Sequence, residues 1–218
     1  YLVAMERSER YVGKDLIQEY ALRLQTLKQA FQQEFSQALG LPAVDAVLPV
    51  VILNSRESFD RYCEAREKRR MAAAIKGFYE YGRRRVITYH DFMAPYELLL
   101  HEGAHQLVHH FTLLRTEGRR VPASYWFQEG VGTYFESFRR RMDGEVAMDA
   151  GGHSLRLPAL KQALQQEGRK DFIPLSMLVG MTVDEFWDWF DRGMMTEASE
   201  VTRKAQIYYA ESWAFVHF

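Results

Sequence analysis

Apolar residues recur at helical spacing through Leu16, Tyr20, Leu24, Leu27, Phe31, Phe35 and Leu39, which predicts one long amphipathic helix over 14–39. Gly40 and Pro42 supply its stop. The unbroken apolar run Val47 to Leu53 reads as a buried strand, and Asn54 and Ser55 offer caps for a helix over about 55–67. Residues 77–89 (GFYEYGRRRVITY) predict a β-hairpin turning near Gly82-Arg83. Pro95 suits the first turn of a helix running to about Phe111, and a second helix is expected over about 123–141. A turn or loop with a short strand follows over Gly144 to Gly152. Further helical segments are expected at about 156–167, 174–179, 182–190 and from 203 onward, and residues 1–12 read weakly as a strand. The order is a small sheet with packed helices over about 1–92, then a mainly helical part over about 93–218. That is an α+β class, and no repeat or linker divides it, so one domain is expected over 1–218.

Composition narrows the function classes. At 218 residues, 47% hydrophobic and 14% aromatic, the chain can bury a sizeable core. Its formal net charge of −1 gives no general pull toward nucleic acid or a membrane surface. A single cysteine, Cys63, excludes an intrachain disulfide and a multi-cysteine zinc site, and reads as a small buried residue on a helix. No apolar run approaches the ~20 residues that cross a bilayer. The chain starts at Tyr1 and breaks off at Trp213 to Phe218 inside an apolar helical pattern, so both ends read as trimmed. The compartment stays open; a removed targeting segment would direct the protein to secretion or the cell envelope.

The chemistry concentrates in His101-Glu102-Gly103-Ala104-His105. Four residues advance a helix by about 400°, so the two imidazoles share one face, one turn apart. Two histidines so placed can bind one metal ion, and the carboxylate of Glu102 beside them can deprotonate a water. A catalytic zinc site has three protein ligands and one open position. A third histidine six residues after the second is absent, because Phe111 stands there. The alternative is a glutamate from a following helix. Glu129, 24 positions beyond His105, leaves room for one helix to end and another to return. Glu136, seven positions later on nearly the same face, is the alternative ligand or an ordinary polar residue.

Trp126-Phe127-Gln128-Glu129-Gly130 resembles the W-x-N-E-G stretch of the aminopeptidase-N-like and leukotriene-hydrolase-like gluzincins, with Gln128 in place of Asn. Tyr209-Ala210-Glu211-Ser212-Trp213-Ala214 resembles their Y-x-K-G-x-A helix. The overall likeness is to the bacterial domain of unknown function 1570, a group of peptidase-MA-like gluzincins. The G-F-Y hairpin, the W-F-x-E-G segment and the Y-A-x-S-W-A-F-V-H-F ending carry it, in patches from about 75 onward. The resemblance implies a zincin-like fold and a zinc metallopeptidase. In it His101, His105 and Glu129 hold Zn2+, Glu102 is the general base for a zinc-activated water, and Tyr209 stabilises the oxyanion. Its substrate would be a peptide or protein. Glu211 stands where the aminopeptidases have Lys, and their G-x-M-E-N segment is missing, which favours internal cleavage over aminopeptidase activity. The competing readings are a zincin-fold binding module without turnover and a helical scaffold without metal.

The neighbouring residues carry milder expectations. Thr133 orients a ligand or simply packs, and His109 and His110 lie at the surface or support the site. His153, Tyr208 and His217 are candidates for facing the cleft. The basic clusters Arg66 to Arg70, Arg83 to Arg85 and Arg139 to Arg141 read as solvated faces, or as contacts for an anionic substrate. Phe186 to Phe190 reads as core with a Trp available to line a pocket, and the strand at 85–89 is expected at the cleft edge, where an extended peptide can pair.

Overall fold

A computed structural model describes residues 1–6, 14–36, 40, 45–67, 75–91, 96–115, 124–136, 138–140, 146–148, 156–165, 172–194 and 198–218. The architecture is α+β, mostly helical, with a small mixed sheet of four strands. Strand β1 (Leu2–Met5) is followed by helix α1 (Lys14–Phe31), which continues as a single π-type turn over Gln32–Ser36. The expected helix to 39 therefore changes pitch at Gln32, and its last three positions lie outside the described residues. Next come β2 (Pro49–Leu53), α2 (Arg56–Glu67) and the hairpin β3 (Gly77–Glu80) with β4 (Arg85–Tyr89). Helix α3 (Glu97–Arg115) and helix α4 (Tyr125–Tyr134) carry the motif residues; Pro95 lies outside the described residues. A small pair β5 (Phe138–Arg140) and β6 (Val146–Met148), then α5 (Leu157–Gln165), α6 (Leu175–Gly180), α7 (Val183–Met194) and α8 (Ala198–His217), complete the described elements.

The sheet order is β1-β2-β4-β3. β2 lies parallel to both β1 and β4, with Val50 opposite Val3 and Val86, whereas β3 runs antiparallel to β4. Both faces of the central strands are covered. Val50, Ile52 and Val86 face α1 and α3, while Leu53 and Ile87 face Phe59 and Cys63 of α2. This double burial explains why β2 reads as a continuous apolar run rather than an alternation. It also corrects one expectation. β4 is paired on both sides and has no free ladder, so the hairpin strand at the sheet edge is β3, not the 85–89 strand.

Helix α3 is the centre of the molecule. Residues 101–108 are all buried, so its polar members sit inside protein and must find partners there. Gln106 does so deep in the core, donating from Nε2 to the Pro49 carbonyl at 3.1 Å and the Arg84 carbonyl at 2.9 Å. Arg84 closes the hairpin turn with a positive φ of 53°. One amide thus ties helix, strand and turn together.

The second helix is shorter than the expected 123–141. It stops at Tyr134 because Phe135 turns into the first core, against Phe31 at 5.6 Å and Phe35 at 5.8 Å between centroids. The chain then enters β5. A second core, built on Tyr125, Leu178, Phe186, Ile207 and Tyr208, joins α4 to the C-terminal helices. Helices α4 and α8 approach very closely at Gly130, where a Cβ would stand 2.4 Å from the Ser212 carbonyl oxygen.

Candidate metal centre

His101, Glu102 and His105 form a buried group whose donor atoms all lie within 4.8 Å of one another, so it can hold a metal ion. Helix α3 brings them together by local geometry alone, one turn apart on its inward face. Helix α4 adds Glu129: its carboxylate lies 3.1 Å from His101 Nε2 and 3.7 Å from His105 Nε2. The His101 ring can lie against α4 because position 132 is glycine, where a Cβ would come within 2.7 Å of the ring.

Glu136 takes neither role expected of it. Beyond the end of α4, its Oε1 accepts from His101 Nδ1 at 2.9 Å, on the nitrogen opposite the one facing Glu129. This contact fixes the ring and leaves Nε2 directed at the centre. Arg156 reaches Glu136 at 3.5 Å and lies over the Tyr209 ring, 5.3 Å from its centroid.

Tyr209 is partly buried with its ring 6.1 Å from that of His101. Its neighbour Tyr208 turns into the second core against Tyr125 and Phe186. The adjacent-residue ambiguity therefore resolves in favour of Tyr209 beside the histidines. Tyr125, which sequence reasoning missed, has its hydroxyl within reach of both the Glu129 carboxylate and the Tyr209 hydroxyl. It lies one turn before Glu129 on α4, which was the available signal. Tyr81 was missed as well; its hydroxyl donates to Gln128 Oε1 from the hairpin turn.

The remaining candidates fall elsewhere. Thr133 is buried, and its hydroxyl has no partner among the described residues, so it packs rather than orients a ligand. His109 bonds the Tyr79 hydroxyl at 2.7 Å, and exposed His217 stacks on Trp213. Cys63 is buried on α2 and Phe186 belongs to the second core. Arg83 and Arg85 both pair with Glu80, which offsets that basic cluster. His153, Lys68 to Arg70 and Arg141 lie outside the described residues.

Burial pushes the Glu102 carboxyl up to about 7, with His101 pulling it down and Glu129 pushing it up. The backbone N–H of Tyr79 on β3 faces this carboxylate and favours its charged form. Burial drives His105 down to about 4. Burial also opposes charge on His101, but its bonds to Glu129 and Glu136 outweigh that and hold the imidazole well above its ordinary range. Burial likewise opposes charge on Glu129, and the two histidines overcome it and hold the carboxyl low. Without metal, His101 thus carries a proton at neutral pH between two carboxylates.

A metal ion must displace that proton from Nε2, so protons and metal compete. Metal binding near pH 7 is expected to release about one proton or more, and affinity to weaken by about tenfold per pH unit as pH falls below the His101 range. His105 adds no competition until much lower pH. Titration calorimetry in buffers of different ionisation enthalpy measures this, and binding without proton release would contradict it.

No protein-family model and no curated protein matches the chain.

Proposed function

We propose that the chain is a zinc-dependent peptidase of the gluzincin type, with a zincin-like fold and His101, His105 and Glu129 as the zinc ligands. One observation carries the reading: both Nε2 atoms converge on the Glu129 carboxylate, at 3.1 and 3.7 Å. Ligands at ~2.0–2.1 Å around a tetrahedral ion stand about 3.3 Å apart, so the Glu129 carboxylate already lies near that spacing from both nitrogens. Two imidazoles and a carboxylate, with no thiolate, suit a hydrolytic zinc site that keeps one position open. The sequence likeness to the peptidase-MA-like group supports the same assignment.

When bound, zinc supplies a Lewis acid and lowers the pKa of a water toward ~7. Glu102 receives the water's proton as the oxygen attacks the substrate carbonyl, and returns it to the leaving amine. Tyr209, whose ring lies beside that of His101, donates its hydroxyl to the carbonyl oxygen as negative charge builds there. Burial raises the Tyr209 pKa well above its ordinary value, with the Glu129 charge adding to it, so the hydroxyl keeps its proton for donation. Tyr125 holds Glu129 and Tyr209 in one arrangement, and Glu136 holds the His101 ring.

Metal analysis together with a peptide-library cleavage assay tests the proposal. About one zinc per chain and peptide hydrolysis are expected. Glu136→Gln should weaken zinc by ~10–100-fold, the usual effect of losing an orienting partner, and Glu129→Ala by more. Unchanged affinity in Glu129→Ala would remove it from the ligand set. Zinc without cleavage would leave a binding module on the same fold.

A further inference from the structure

We propose that the Tyr81–Gln128 bridge closes one end of the substrate cleft, so that cleavage occurs within about two residues of a peptide terminus. This rests on the peptidase reading and departs from the expectation of internal cleavage.

β3 is an edge strand of the sheet among the described residues, and its Tyr79 N–H faces Glu102. That contact marks the level along the strand at which the proposed base works. Tyr81 is the first turn residue after β3, two positions beyond Tyr79 and so at most about 7 Å further toward the hairpin end. The two rings lie on the same side. Their ring centroids are 4.8 Å apart, and each lies against His109, at 5.5 and 5.1 Å.

From there the Tyr81 hydroxyl crosses to Gln128 on α4, next to Glu129. It passes close enough to Glu129 and Glu102 to feel both charges. The side chain therefore spans the gap between the edge strand and the helix of Glu129, and is 46% exposed. A chain lying extended along β3 over Glu102 meets this bridge about two residues from the reacting carbonyl. The hairpin does not simply move aside. Glu80 binds Arg83 and Arg85, and the Arg84 carbonyl accepts from buried Gln106.

The test is a peptide ladder lengthened one residue at a time, in one series at the amino side of the scissile bond and in another at the carboxyl side. Cleavage is measured with the zinc-loaded wild type, and binding with zinc-loaded Glu102→Gln. Both kcat/KM and affinity should fall about tenfold when one side passes two residues, the scale of one lost hydrogen bond, while the other side tolerates length. Tyr81→Ala, alone for cleavage and combined with Glu102→Gln for binding, should abolish that step. Thermal melting confirms that the half-exposed turn position leaves the fold intact. Equal tolerance on both sides, a step that survives Tyr81→Ala, or a ladder that does not bind would each overturn the proposal. A binding step without any cleavage would instead overturn the peptidase reading and leave the closed end standing.

Discussion

Glu102→Gln is expected to retain zinc and fold while losing ~10²–10⁴ in kcat, the range for removal of a general base. The amide keeps the shape and the acceptor for the Tyr79 N–H, but it takes no proton from water. Folding should tolerate the change because burial already pushes this carboxyl up to about 7, so a neutral side chain suits its surroundings. Metal content and thermal melting establish the intact state, and steady-state kinetics reads the loss. Turnover at the wild-type rate would remove Glu102 from the mechanism.

The next largest effect is expected at Tyr209. Replacement by Phe deletes one donor to the developing oxyanion, which typically costs ~10²–10³ in kcat, or about 2.7–4 kcal/mol. KM should change little, because this bond strengthens only as charge builds in the transition state. Tyr208→Phe is the control. Its ring is fully buried, stacked on Tyr125 at 5.7 Å, and its hydroxyl has no partner among the described residues. Removing that hydroxyl should leave kcat near wild type. A large loss in Tyr208→Phe alone would move the role by one residue, and no loss in either would take tyrosine out of the reaction.

What could be read from the chain follows the range over which each feature is determined. The pairing of His101 and His105 is set by one helical turn, so spacing alone predicts it. The chain beyond His105 had room for a second helix to return, which was enough to nominate Glu129. Glu136 was legible as a neighbour of Glu129 but not in its role. That role depends on α4 ending at Tyr134, which a long-range aromatic contact of Phe135 decides. The edge strand was misassigned for a similar reason. The hairpin pattern contains β3 and β4 equally, and only the parallel pairing of β4 with β2 shows which is left outside. Tyr125 and Tyr81 sat in plain view with no local pattern to separate them from core tyrosines.

Gly130 carries a consequence for how the site moves. With α4 and α8 in backbone contact at Ser212, the helices bearing Glu129 and Tyr209 behave as one rigid wall. Neither can shift by the ångström or two that admitting a substrate demands without the other following. Glu129 and Tyr209 therefore keep their mutual spacing through any opening of the site. Variants that tune the chemical step should accordingly map to the α4–α8 seam.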